Sequence, residues 1–226
     1  MDLMRLLKSL EELLYELVSW LIFYPVTMWR AVSNPLQMMR YADVELSDRP
    51  EQQYEDTLSP PLFLLITLMI AQALSSALPS IYEHAAIPKA LSTGSNLLIV
   101  RGVIFSAFPL VMATSLLRRK GVRLTRDTLR PPFYSQCYVA APFVLLLGLG
   151  LDLMLIPQQR GLATGLAAVL AAVLWYGQAE TRWFMRDLRI GAVRAAALVA
   201  GGMALAAAVT LLLALAIGLA LKDSTG

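Results

Sequence analysis

Leu3, Leu7, Leu10, Leu14, Leu17 and Leu21 follow one another at spacings of four and three, while Arg5, Lys8, Glu12, Glu16 and Ser19 occupy the opposite side of the same wheel. That is the period of an amphipathic helix, too charged in its first two turns to cross a bilayer and suited to the headgroup plane or to a partner's surface. Pro25 and the pair Asn34-Pro35 are expected to interrupt the helical pattern. A second short interfacial helix is expected around them, with Trp29 and Arg30 on its surface. Residues 1–42 therefore read as an interfacial helical region, and 43–59, with Glu45, Asp48, Glu51 and Glu55, as a solvated acidic loop.

Beyond that loop the pattern changes to long apolar runs. A hydrocarbon core of about 30 Å takes roughly 20 apolar residues of helix. Runs of that kind fall near 60–78, 96–117, 132–156, 162–178 and 195–221, leaving 222–226 as a tail. Thr57, Ser59, Pro60 and Pro61 look like the start of the first, and Pro131-Pro132 like the opening of the third. The second ends in Arg118-Arg119-Lys120-Gly121, where cations suit the carbonyl end of a helix and glycine lets the chain turn away. The expected fold class is thus all-α: a polytopic bundle of five transmembrane helices behind an amphipathic N-terminal region.

Composition supports this class, since 58% of residues are hydrophobic, only 15% are charged and the mean hydropathy is +0.62. The formal charge of +3 matters less than its order. Lys and Arg crowd the N-terminal region and the second and fourth connections, whereas the intervening segments hold Lys89, Arg160 and Lys222. With five spans the positive-inside rule places the N terminus in the cytoplasm and the C terminus outside. An arginine-over-lysine, alanine-rich composition points to a GC-rich bacterial genome, hence an inner membrane. The opening Met1 to Arg5 does not read as a secretory signal, so internal helices are expected to bring the chain into the membrane.

Chemistry is sparse. Cys137 is the only cysteine, which excludes an internal disulfide and any multi-cysteine metal site. There is no phosphate-binding glycine loop, no Gly-x-Ser-x-Gly elbow and no His-Glu-x-x-His, so an enzyme is disfavoured and no cofactor is expected. His84 reads as a loop residue. Arg101 and Asp152 are the ionisable residues placed most clearly within spans, at similar depth near the outer end. Three readings stay open for them: a structural ion pair, snorkelling to the interface, or a substrate or ion site. Gln136, with Ser135 and Cys137, is an intramembrane polar candidate suited to hydrogen bonding across the bundle. Pro109 and Pro142 are expected to kink the second and third spans.

Arg118, Arg119, Lys120, Arg182, Arg186 and Arg189 are the expected lipid-headgroup contacts, with the last three on one helical face beside Trp183. Leu3, Leu7, Leu10, Leu14, Leu17, Leu21 and Trp29 form the expected surface toward a partner or the membrane. Gly161 and Gly165, then Gly201 and Gly202, offer close backbone approach within the bundle or between subunits. The lipid bilayer and either further copies of the chain or other membrane subunits are the expected partners; no nucleic-acid partner is expected.

Three stretches bear on kinship: Tyr24-Pro25-Val26-Thr27-Met28-Trp29-Arg30-Ala31-Val32-Ser33-Asn34-Pro35, Asp56-Thr57-Leu58-Ser59-Pro60-Pro61-Leu62-Phe63, and Phe133-Tyr134-Ser135-Gln136-Cys137-Tyr138. They resemble, in turn, the proline and aromatic pre-membrane segment, the acidic-to-proline approach to the first span, and the aromatic Tyr-Ser segment of the third span in the Yip family of Rab/Ypt-interacting proteins and their bacterial relatives. The family's Gly-Tyr pair is absent. The resemblance implies a cytoplasmic N-terminal region followed by five spans and, in eukaryotic members, a membrane-organising role. Two functions follow: a non-enzymatic membrane scaffold or accessory subunit, or an oligomeric small-solute permease or channel working through Arg101 and Asp152 with Gln136 and the two kinks.

Overall fold

The computed structural model describes residues 2–78, 102, 104–156 and 159–223. Among them the chain is all-helical and contains no strand. It comprises α1 (Asp2–Ser33), α2 (Pro35–Glu45), a single 3₁₀ turn (Pro50–Gln52), α3 (Pro60–Ala77), α4 (Ala107–Lys120), α5 (Arg126–Met154), α6 (Gln159–Leu188) and α7 (Ala192–Asp223). Four stretches are long and apolar enough to cross a membrane: Pro60–Ala77, Arg126–Met154, Arg160–Leu188 and Ala192–Ile217. Of the expected span at 96–117, the helix α4 covers the second half; residues 96–101 and 103, Arg101 among them, lie outside the described residues.

Helix α5 is the centre. It packs against α6, α3, α2, α4 and α1. Every residue from Ser135 to Val144 is buried, so this stretch has no face left for lipid or water, as its lack of a polar side in sequence implies. Aromatic side chains join the layers: Phe143 stacks on Tyr176 of α6 at 4.3 Å between centroids and meets Phe108 of α4 edge-on at 5.0 Å. Each such pair contributes about 0.5–1.5 kcal/mol beyond area burial. Helix α7 leans on α4 and α6 and leaves Leu205, Leu211, Leu212, Leu215 and Leu219 exposed along its length.

Local chemistry relocates several expected boundaries. Helix α1 runs through Pro25 without a break and stops at Asn34, where Pro35 begins α2. One proline removes one backbone donor, and the flanking turns stay bonded; the Thr27 hydroxyl adds a 2.7 Å bond to the Phe23 carbonyl. Helix α5 begins at Arg126 rather than at the proline pair, because Thr125 and Thr128 form a reciprocal capping box. Pro131 and Pro132 then follow inside the helix near its solvated start. Helix α4 resumes after a turn at Ser106, three residues before Pro109, whose ring crowds the carbonyl four residues back. Pro142 sits inside the continuous α5.

The 43–59 segment is a larger departure from expectation. It is acidic, yet Tyr54, Thr57 and Leu58 are buried against the bundle. Tyr54 adopts a left-handed backbone (φ 59°), uncommon for an aromatic residue. It is held there by its N–H donating to the Glu45 carboxylate and its hydroxyl donating to the Ala42 carbonyl at 3.2 Å. Side-chain bonds to backbone are invisible to a reading based on apolar count.

Candidate functional site

Polar side chains gather at the end of the bundle where α1, α2, the N-terminal parts of α3 and α5 and the C-terminal part of α6 meet. The first part is a knot around Tyr138. Its hydroxyl donates to the Leu58 carbonyl at 2.7 Å and lies 3.3 Å from the Thr57 hydroxyl, which in turn donates to Tyr41 at 3.1 Å. Tyr41 donates to Asp56, and Arg30 closes the chain with a 2.7 Å ion pair to the same carboxylate. The Leu58 N–H donates to the Thr27 hydroxyl at 3.2 Å. Phe63 lies against both Tyr24 and Tyr138, with ring centroids 5.5 and 5.9 Å apart. Three stretches distant in sequence, Tyr24–Pro35, Asp56–Phe63 and Phe133–Tyr138, are thus one packed unit. Beside it opens a cleft of about 380 Å³ lined by Arg30, Asn34, Gln37, Met38, Tyr41 and Asp56.

Burial pulls the Asp56 carboxyl up, but the Tyr41 and Arg30 bonds outweigh it and hold it below the ordinary carboxylate range. Burial and the neighbouring Asp56 push the Tyr41 phenol well above its ordinary value. A depressed carboxylate stabilises the fold above its unfolded pKa, and that contribution disappears as pH falls through the lower, folded value. Both partners of the ion pair are about half exposed, so the contribution is under about 1 kcal/mol. Asp56→Asn is expected to lower the neutral part of a stability-against-pH curve by up to about 1 kcal/mol and to flatten its acid limb, so that variant and wild type converge at low pH. An unaltered acid limb would remove Asp56 from the account.

The second part lies deeper. Gln136 on α5 and Glu180 on α6 are both fully buried, and the Gln136 amide donates to Glu180 Oε2 at 2.9 Å. Gln136 Oε1, Glu180 Oε1 and the Tyr176 hydroxyl have no hydrogen-bond partner. Nearer the end, Ser135 donates to Asp43 of α2 at 2.7 Å, and Lys120 of α4 reaches Asp187 of α6 at 2.7 Å. Burial raises the Asp43 carboxyl; the Ser135 bond opposes this, Asp187 adds to it and Lys120 opposes it. Lys120 is thereby an ion-pair partner as well as a boundary cation.

The other expected residues are more dispersed. Asp152 stands at the opposite end of α5, where it accepts a hydrogen bond from Ser75 of α3. Arg101 is outside the described residues, and the proposed meeting of the two with it. Arg118 and Arg119 are exposed at the end of α4, beside Phe184 and the Gly201–Gly202 surface of α7. Arg182 and Arg186 are exposed on α6. Arg189 leaves their face: α6 stops at Leu188 and Arg189 takes a left-handed conformation (φ 53°), while the Ile190 N–H bonds back to the Met185 carbonyl at 3.3 Å in a helix-ending turn. Leu7, Leu10, Leu14, Leu17 and Leu21 are 46–78% exposed and Trp29 is 73% exposed; the Leu3 side chain lies outside the described set.

Glu180 escaped the sequence reading. The apolar count ended the fourth span at Gln178, which put the acid in the interface with the arginines. The missing signal was spacing: Ala172, Tyr176, Glu180, Trp183 and Asp187 recur every three or four residues, and that row faces α5 and α4. Among the described residues no three His, Cys, Asp or Glu side chains gather as a metal-binding set. Comparison with protein families, curated proteins and solved structures finds no match.

Proposed function

We propose that this chain is a non-enzymatic integral membrane scaffold or accessory subunit, with a Yip-like membrane-organising role as the resemblance implies. In this reading there are five spans, the four long apolar helices and 96–117 as the second in chain order, with the N terminus in the cytoplasm and the C terminus outside a bacterial inner membrane. One observation carries the reading. Every described side chain from Leu7 to Val18 on α1 is exposed, leucine row included, while the root of the same helix is tied down through Arg30–Asp56 and Thr27–Leu58. A rigidly mounted, amphipathic, uncovered arm is suited to gripping a membrane surface or another subunit. The exposed leucines of α7, with Gly201 open beside them, supply surface for assembly within the membrane.

Leu10→Glu/Leu14→Glu is expected to leave the bundle folded and inserted. Native membranes crosslinked before mild solubilisation are then expected to lose the higher-mass assemblies formed by the wild-type chain. A wild-type chain that stays a lone monomer after crosslinking would sink the proposal.

The alternative, an oligomeric permease or channel, draws on Glu180, fully buried between helices, and on Asp152, since ionisable groups held away from water are costly. Reconstituted vesicles would decide it: solute flux altered by Glu180→Gln or Asp152→Asn favours transport, and no flux from wild-type protein ends that reading.

A further inference from the structure

Between the α1–α2 elbow and the C-terminal end of α6 lies a second cleft, of about 530 Å³, lined by Ser33, Asn34, Gln37, Arg40, Arg182 and Arg186 together with Pro35 and Leu36. Three guanidinium groups from two elements face one space, and none of its lining residues is an acid. No described carboxylate is in ion-pair range of Arg40, Arg182 or Arg186. Like charges brought together by a packed fold repel unless an anion sits among them. Two other cationic groups at this end differ: Arg30 is spent on Asp56 and Lys120 on Asp187.

The wall opposite α6 adds donors. Helix α2 starts at Pro35 with Asn34 as its N-cap, and the Asn34 side chain makes no capping bond. The Gln37 and Met38 N–H groups are taken by the Asn34 carbonyl, at 3.0 and 3.1 Å, and the first turn of the helix, the positive end of its dipole, lines the cleft. Guanidinium forks and amide donors around a space of this size match a phosphate group better than a single carboxylate, because phosphate offers more acceptor oxygens and more charge.

Depth fits as well. Trp175 on α6 donates through its indole to the Val32 carbonyl at 3.4 Å, and Trp29 is exposed on the adjoining helix, as in an aromatic belt. Arg182 and Arg186 follow Trp175 along α6 by about 10 and 16 Å at 1.5 Å per residue, which is headgroup level.

We propose that this cleft is a binding site for a phosphate-bearing anion, supplied either by an anionic lipid headgroup or by a soluble phosphate ester. The site is separate from the leucine arm and stands whether or not the chain is a scaffold. Full-length protein in mild detergent, offered phosphatidylglycerol and phosphatidylcholine of matched chains, is expected to retain the anionic lipid in native mass measurement. Arg40→Gln/Arg182→Gln/Arg186→Gln is expected to lower that retention about tenfold or more, at charge-recognition strengths usual for surface arginines. Arg123→Gln/Arg126→Gln, which removes two exposed charges outside this cleft, should change it by less than about twofold.

In a lipid-free arm, inorganic phosphate and glycerol 3-phosphate are added in turn. Melting raised by either, with the same arginine dependence and with loss of bound lipid, assigns the site to a soluble ester. Lipid retention without any such shift assigns it to the headgroup. Since the three arginines are exposed and unpaired, their variants should melt as the wild type does without ligand. The single variant Arg182→Gln, expected to show part of the loss, serves if the triple variant does not fold. Equal retention of both lipids with no response to phosphate, or arginine variants that bind as the wild type does, would overturn the site.

Discussion

Gln136→Leu is expected to destabilise the bundle by about 3 kcal/mol, because it takes the one bond from a fully buried carboxyl and gives nothing back. The loss does not depend on the lipid around the protein, since both residues are sealed between α5 and α6. Glu180→Leu is expected to cost less, leaving a neutral amide unpaired instead of an acid. Gln136→Leu/Glu180→Leu should recover most of the loss, for two apolar groups of similar size replace two polar ones. Reversible unfolding in mixed micelles measures all three. Strictly additive losses, with the double variant the worst, would mean that the bond at 2.9 Å is not the reason these residues face one another.

Gly165→Ala is expected to be as damaging, at about 3 kcal/mol or more, although it adds a single methyl group. A Cβ at that position would stand 2.5 Å from the Gly150 carbonyl oxygen and 2.7 Å from the Met154 nitrogen. Both are backbone atoms of α5 and cannot swing aside, so the helices would have to separate and forfeit dispersion contacts along their shared length. Gly201→Ala is the matched control on α7. Nothing lies within 4 Å of its added Cβ, and removing a mid-helix glycine should leave stability unchanged or higher by up to about 1 kcal/mol. Equal melting of the two variants would show that α5 and α6 do not approach as closely as this.

These glycines show how far the sequence could be read. Gly161 and Gly165 are legible as a small-residue surface, but glycine recurs throughout an alanine-rich chain. Only the partner helix distinguishes Gly165, which is pressed on backbone, from Gly201, which is open. The all-helical class and the apolar helices after Pro60 follow directly from residue runs, because lipid forces a backbone to satisfy its own hydrogen bonds. What those runs do not encode is where polar residues turn inward. Gln136 was legible as a polar residue at span depth; its partner was not, since hydropathy averages Glu180 together with the arginines that follow. The acidic 43–59 segment departs from its charge pattern at a few positions for the same reason: Thr57 and Tyr54 are buried through bonds to Tyr41, Tyr138, Glu45 and Ala42 that no periodicity announces. Helix α1 departs in the opposite sense, because Pro25 removes a single donor and does not break the helix.

The unbroken passage of α1 through Pro25 has a mechanical consequence. At 1.5 Å per residue its 32 residues make a rod of roughly 48 Å. There is no joint between the outer leucines and the root at Ser33, so the rod acts as a lever. Force applied by whatever holds the far end arrives undiminished at Arg30 and Thr27, where the short arm of the lever meets Asp56 and Leu58.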